Sequence, residues 1–221
     1  MRRLRSLFLI FGVLLPLFIC CSTGTRYERY YGVPQPLNQK PLIVLDAGHG
    51  GYDEGAKVKT FMEKKVTLST TMLIKQYLEE MGYRVILTRS RDIFLPLSQR
   101  VSIANKTQGA VFVSIHYNAS SSSSAKGIEV YYCQTSETKR TRDSKRLANC
   151  ILPCLIDQTD AVSRGVKQAK FLVIKDTQMP AVLVEAGFVT NREERLLLRD
   201  KDYLDRIAKG IADGINKYLK T

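Results

Sequence analysis

From position 41 onward, short unbroken apolar runs alternate with stretches in which apolar residues recur every three or four positions, the two periods that separate buried strands from amphipathic helices. The runs predict strands over 42–45, 84–88, 110–115, 127–133, 171–174 and 181–184. Helical spacing predicts a helix over 66–81 through Leu73, Ile74, Tyr77, Leu78 and Met81, with Gly82 as its stop. It predicts others over 97–106, with Leu97, Val101 and Ala104 on one face, and over 144–156. Asn191 makes a good helix start, with Glu193 and Glu194 in the first turn where the helix dipole favours them. An amphipathic helix through Leu204, Ile207, Ile211, Ile215 and Leu219 closes the chain. The serine run 120–124 reads as a loop.

Strands that alternate with helices predict an α/β fold: a single three-layer domain whose mostly parallel or mixed central sheet is flanked by helices. The segments 171–174 and 181–184 lie too close for a parallel crossover, so at least one antiparallel neighbour is expected.

The first 40 residues follow a different grammar. Arg2, Arg3 and Arg5 precede an almost unbroken apolar stretch over 7–19, so residues 1–21 read as an export signal that is too short to span a membrane comfortably. Cys20 and Cys21 follow directly, as in a lipoprotein signal, but Leu17, Phe18 and Ile19 are bulky for such a site. Simple cleavage is favoured, and membrane attachment by a lipidated Cys20 or Cys21 is the alternative. Residues 22–40, with Tyr27, Tyr30, Tyr31, Pro34 and Pro36, show no period and read as a tether to a domain over 41–221. The mature chain is therefore expected to be exported, to the periplasm or cell envelope, and to be a monomer.

Charge narrows the partners. The chain carries +13 formally, and without the three export arginines it still has 31 basic against 21 acidic residues. Such an excess suits a carboxylate-rich polymer or anionic lipid. No nucleic acid partner is expected, because the chain is exported, Trp is absent and no basic strand is interleaved with aromatics. The body cysteines, Cys133, Cys150 and Cys154, are odd in number and form no Cys-x-x-Cys pair, so apolar packing is predicted for all three.

Two histidines occur in the whole chain, and each stands where an apolar run ends: His49 after PLIVLDAG and His116 after AVFVSI. A third run, PAVLV, ends at Glu185. Ligands in open α/β sheets gather at the carboxyl ends of strands, so these three groups could share one site. Two His and one carboxylate are a common ligand set for hydrolytic zinc. Glu63, at the amino end of the first helix, is the favoured carboxylate, with Asp46, Asp53 and Glu54 as competitors. Asp46 suits a supporting hydrogen bond. Glu185 is then the general base that takes a proton from water in amide hydrolysis.

The stretches Asp46-Ala47-Gly48-His49-Gly50-Gly51-Tyr52-Asp53-Glu54-Gly55-Ala56, Glu63-Lys64-Lys65-Val66-Thr67-Leu68, Ser114-Ile115-His116-Tyr117-Asn118-Ala119 and Val184-Glu185-Ala186-Gly187-Phe188 closely resemble the zinc-dependent N-acetylmuramoyl-L-alanine amidases of bacterial cell-wall metabolism. The resemblance also extends through Thr88-Arg89-Ser90-Arg91-Asp92, Arg100 with Ala104-Asn105, Gly127-Ile128-Glu129-Val130-Tyr131-Tyr132 and Met179-Pro180-Ala181-Val182, so it covers nearly all of 41–220. It implies zinc held by His49, Glu63 and His116, with Glu185 as the catalytic carboxylate. The implied substrate is peptidoglycan or a muropeptide, cut between N-acetylmuramic acid and the L-alanine of the stem during wall remodelling or division. Asn118 and Glu129 match family positions near the site. Some relatives carry a long helical plug between the second His and the catalytic Glu. Here the stretch from Ile151 to Gly165 leaves little room for one, so no plug is expected, and the tether is too short for a wall-binding or activator-recruiting domain.

Two other readings compete. Ser123 with Lys126, and Ser136 with Lys139, have the Ser-x-x-Lys spacing of penicillin-recognising peptidases, which would give a secondary serine carboxypeptidase at Ser123. A wall-binding protein without catalysis is the third reading, disfavoured because all four site residues are present.

Overall fold

The computed structural model describes residues 40–221; the signal reading for 1–21 and all but the last residue of the tether reading lie outside them. Eight strands and six helices follow in order: β1 Leu42–Ala47, β2 Lys57–Val58, β3 Phe61–Met62, α1 Glu63–Glu80, β4 Arg84–Leu87, α2 Leu97–Thr107 and β5 Val111–Asn118. The rest are β6 Ile128–Tyr132, α3 Thr138–Thr159, β7 Ser163–Gln168, α4 Leu172–Lys175, β8 Ala181–Phe188, α5 Arg192–Leu197 and α6 Lys201–Lys220. β2 and β3 form a small antiparallel hairpin between β1 and α1.

The other six strands make one mixed sheet in the order β4-β1-β5-β8-β6-β7. β4, β1, β5 and β8 are mutually parallel, β6 runs antiparallel to β8, and β7 is parallel to β6. Alternation along each strand sorts side chains to two faces. Ile43, Leu45, Val111, Val113 and Ile115 point into one core with α1, α3 and α6. Val44, Phe112, Ala181 and Leu183 point the other way, onto Ala104 of α2 and Val173 and Ile174 of α4. This is the three-layer α/β arrangement expected, with a mixed rather than wholly parallel sheet.

Several boundaries and one element differ from expectation. Segment 171–174 is not a strand; it leads into the one-turn helix α4, and four apolar residues carry no period that separates the two states. β7, at the sheet edge, was not predicted, because its sequence SRGVKQ is largely polar and exposed. The antiparallel pair is therefore β6 with β8, not the pair argued from short spacing. α1 begins at Glu63 and α3 at Thr138, earlier than their apolar spacing suggested. β5 and β8 run on through His116 and Glu185, so these two residues lie within strands rather than just past them.

α6 packs on α3 so closely that two of its glycines face backbone. A Cβ at Gly214 would lie 2.4 Å from the Ile151 Cα, and one at Gly210 would lie 2.7 Å from the Leu155 Cα. Cys150 and Cys154 flank this seam half-buried, and Cys133 is buried; all three are free. Gly214→Ala should destabilise the protein by about 1–3 kcal/mol through overpacking, a penalty that exceeds the roughly 1 kcal/mol of helix propensity gained. A urea melt checks this, and an unchanged or higher midpoint would mean the helices separate without cost.

Candidate metal centre

The turn after β1 is built from left-handed backbone. His49 has φ 60°, followed by Gly50 at 129° and Gly51 at 61°. A non-glycine residue rarely holds that conformation without support. Support comes from two buried arginines. Arg100 donates Nη2 to the His49 carbonyl at 2.7 Å and Nη1 to the Ala47 carbonyl at 2.6 Å and to Asp46 Oδ1 at 2.8 Å. Arg89 donates Nε to the Ala47 carbonyl and Nη2 to the carbonyls of Gly48 and Lys64. Asp46 also accepts from Thr88 and Ser114. Burial works to raise the Asp46 carboxyl, but Arg100 and these hydroxyls outweigh it and hold it below the usual carboxylate range. Asp46 is thus a structural anchor, as its position beside the strand suggested.

That turn delivers His49 toward His116, and Gly48 lets the second ring in. A Cβ on Gly48 would sit 2.3 Å from the His116 ring. The imidazoles meet edge to face with centroids 4.8 Å apart. Glu63, the first residue of α1, reaches between them: its Oε1 lies 3.1 Å from His49 Nε2 and 3.0 Å from His116 Nδ1. The ligand atoms of the three residues all fall within 4.8 Å of one another.

Protein donors at zinc distances of about 2.0–2.1 Å in tetrahedral array stand about 3.3 Å apart, and Glu63 Oε1 stands at nearly that separation from each imidazole nitrogen. The supporting contacts fit as well. Asp53 places both oxygens 2.9 Å from His49 Nδ1, which leaves Nε2 for a cation. Glu63 Oε2 accepts the Ala56 N–H and Oε1 accepts that of Tyr117. Burial works to raise the Glu63 carboxyl, but hydrogen bonds from His116 and His49 prevail and hold it far below its ordinary value. His49 is shifted upward: burial lowers it, and Glu63 and Asp53 more than offset that.

Glu185 lies opposite His116 in the β5–β8 ladder and opposite Glu129 in the β8–β6 ladder. Its Oε2 is buried and accepts no hydrogen bond among the described residues. Burial, then Glu63 and Glu129, push its carboxyl well above the ordinary range. Together with His49, Glu63 and His116 it lines a cavity of about 440 Å³, walled on the far side by Leu97 and by Phe171, Leu172 and Val173 around α4.

The carboxylate competitors are engaged elsewhere: Asp46 with Arg100, Glu54 with Lys57, and Asp53 behind His49 rather than beside Glu63. Asp53 as the partner of His49, and Arg89 and Arg100 as clamps, are the functional neighbours that sequence reasoning missed. An arginine in an α/β sequence reads as surface, and only its burial at 2% exposure reveals otherwise. Among the described residues no hydrogen bond joins either Ser-x-x-Lys pair: Lys126 turns to Glu193 and Lys139 to Asp143. Ser123 and Lys126 line a separate concavity with Thr190 and Arg192.

Comparison with known proteins agrees with this geometry. The family described as N-acetylmuramoyl-L-alanine amidase matches residues 43–217. N-acetylmuramoyl-L-alanine amidase LytC of Bacillus subtilis is 40% identical over 178 residues, which is 80% of this chain and 35% of LytC. This chain thus spans about a third of that relative's length. Among solved structures, the catalytic domain of CwlV, an N-acetylmuramoyl-L-alanine amidase from Bacillus (Paenibacillus) polymyxa var. colistinus, superposes with a TM-score of 0.77 at 40% identity, covering 82% of this chain and 99% of that one. The CwlD amidase from Clostridioides difficile, solved in complex with the GerS lipoprotein, gives 0.77 at 36% identity, again covering 82% and 99%.

The orphaned Glu185 carboxyl carries a stability signature. An ordinary glutamate ionises near about 4.3. With its folded value raised, the metal-free protein loses stability as pH rises past that point, because unfolding lets the group ionise. Chelator-treated Glu185→Gln should therefore melt above the parent at pH 8, with the gap closing by pH 4. Calorimetry at both values checks this, and a gap that does not depend on pH contradicts it.

Proposed function

The chain belongs to the N-acetylmuramoyl-L-alanine amidase family, and from that premise we propose that it is a zinc-dependent hydrolase that cleaves the amide between N-acetylmuramic acid and L-alanine in peptidoglycan. The observation that carries the proposal is the convergence of His49, Glu63 and His116 beside a buried carboxyl, Glu185, that lacks a partner among the described residues. His49 Nε2, His116 Nδ1 and Glu63 Oε1 would hold the ion, and a set of three protein ligands would leave a position free for the reaction. When bound, zinc supplies Lewis acidity that polarises a carbonyl, acidifies water and draws nearby carboxyls back toward ionisation.

The chain's own residues do the rest. Glu185 accepts a proton from the attacking water and passes it to the departing amine of L-alanine, so the C–N bond breaks to give a carboxylic acid and a free amine. Asp53 keeps the proton on His49 Nδ1, so that Nε2 faces the ion. Leu97, Phe171 and Leu172 give the cleft an apolar wall.

The segment between His116 and Glu185 supports an enzyme without a built-in plug, since of its two helices α3 packs on α6 and the short α4 is the one that borders the cleft. Action on peptidoglycan implies a place in the cell envelope. The export signal over 1–21, lipid attachment at Cys20 or Cys21, and a monomeric state belong to the same proposal and rest on sequence alone.

Full-length protein incubated with defined muropeptides should release stem peptide and carry about one zinc per chain by elemental analysis. A chelator should stop cleavage, and Glu185→Gln should lower kcat by about a thousandfold with metal content unchanged. Mass spectrometry that finds the amide intact with the zinc-loaded parent would overturn the proposal.

A further inference from the structure

Beyond Glu185, the sheet continues through two more strands, and their charges are unlike those of a surface ion pair. Glu129 on β6 is 2% exposed. Its Oε1 accepts from Asn118 Nδ2 at 2.6 Å and from the Tyr131 hydroxyl at 2.7 Å. Its Oε2 accepts from two cations of the edge strand β7, Arg164 Nε at 2.9 Å and Lys167 Nζ. One carboxylate thus gathers two positive charges, although one would neutralise it. Both cations stay about a third exposed, at 35% and 37%. Arg164 also donates Nη1 to the Lys126 carbonyl and rests 4.9 Å over the Phe188 ring, which leaves Nη2 without a partner among the described residues. Lys167 spends one of its three donors.

These groups lie at the same end of the sheet as the cleft. Glu129 faces Glu185 across the β6–β8 ladder, and β7 starts beside it. Tyr131, which donates to Glu129, stacks edge-on against Phe171 of the cleft wall at 5.3 Å. The arrangement therefore runs without a break from the metal ligands to the two cations.

We propose that Arg164 and Lys167, held in place by Glu129, form a subsite for a carboxylate of the stem peptide. This rests on the amidase reading above and adds the direction in which the substrate lies. Neighbouring strands stand about 4.8 Å apart, so β7 is about 10 Å from β8, and an extended peptide covers that distance in about three residues. The anionic group recognised is on the second or third residue counted from the scissile amide, and the peptide crosses the sheet end toward β7. Arginine suits this task because its planar donors match a carboxylate. Glu129 is a positioning residue; Arg164 and Lys167 touch the substrate.

The test compares synthetic N-acetylmuramoyl tripeptides that carry free carboxylates on the second and third residues with the same compounds amidated there. Full-length parent protein should prefer the acid by about tenfold in kcat/KM. Arg164→Gln and Lys167→Gln should each move that ratio toward one, with zinc content unaltered and cleavage of the amidated compound retained. Lys145→Gln, on the exposed face of α3, removes the same charge far from the cleft and should keep the parental ratio. A parent that cleaves acid and amide equally well overturns the subsite and leaves the amidase reading standing. Variants that keep the parental ratio, or a Lys145→Gln that loses it, also overturn the subsite. A parent that cleaves neither compound removes the amidase reading and the subsite with it.

Discussion

The arrangement of this protein depends on a backbone that would not hold its shape alone. Left-handed conformation at His49, Gly50 and Gly51 turns the chain sharply after β1, and buried guanidinium groups of Arg89 and Arg100 grip the carbonyls from Ala47 to His49. Arg100 is itself neutralised by Asp46, one residue before Ala47. Removing either partner of such a buried pair strands the other charge, at a cost of about 3–5 kcal/mol. The turn is therefore tied to buried side chains of the core, and these set the backbone from which His49 reaches the site.

Electrostatics at the strand ends follow from where each carboxylate finds compensation. Glu63 is buried yet held ionised by two imidazoles and two backbone N–H groups. Glu129 is buried yet held ionised by Lys167, Tyr131 and Arg164. Glu185 lies between them with its buried Oε2 unpartnered among the described residues, so of these three it is the one pushed toward the neutral form. Three acids with different environments at one end of the sheet are the pattern from which acid–base roles arise.

Much of this was legible in the sequence. The strand that delivers His116 and the one that carries Glu185 are apolar runs ending in a polar residue, and Glu63 follows the turn at the start of a periodic helix. Other features had no such signature. β7 is an edge strand with solvent on its outer side, so selection for burial left no apolar run in SRGVKQ. Phe171 to Ile174 has the opposite problem, four apolar residues that fit a strand or one helical turn equally well. The first turns of α3 are polar, which hid its start. Arg89 and Arg100 stand in stretches that carry the family resemblance, but their role as clamps was not legible because it lies in carbonyl groups brought together only by folding.

The reversal of β6 relative to β8 has a consequence for how this scaffold can change. Because β6 runs the other way, its beginning lies beside the middle of β8 at the mouth of the cleft, and the serine-rich loop that leads into it opens there beside the segment that leaves β8. Ser120 and Ser123 already touch Thr190 and Asn191 across this junction. The exposed serine-rich connection thus borders this opening without belonging to the hydrogen-bonded ladder, so insertions there can remodel the rim while the buried layers below stay unchanged.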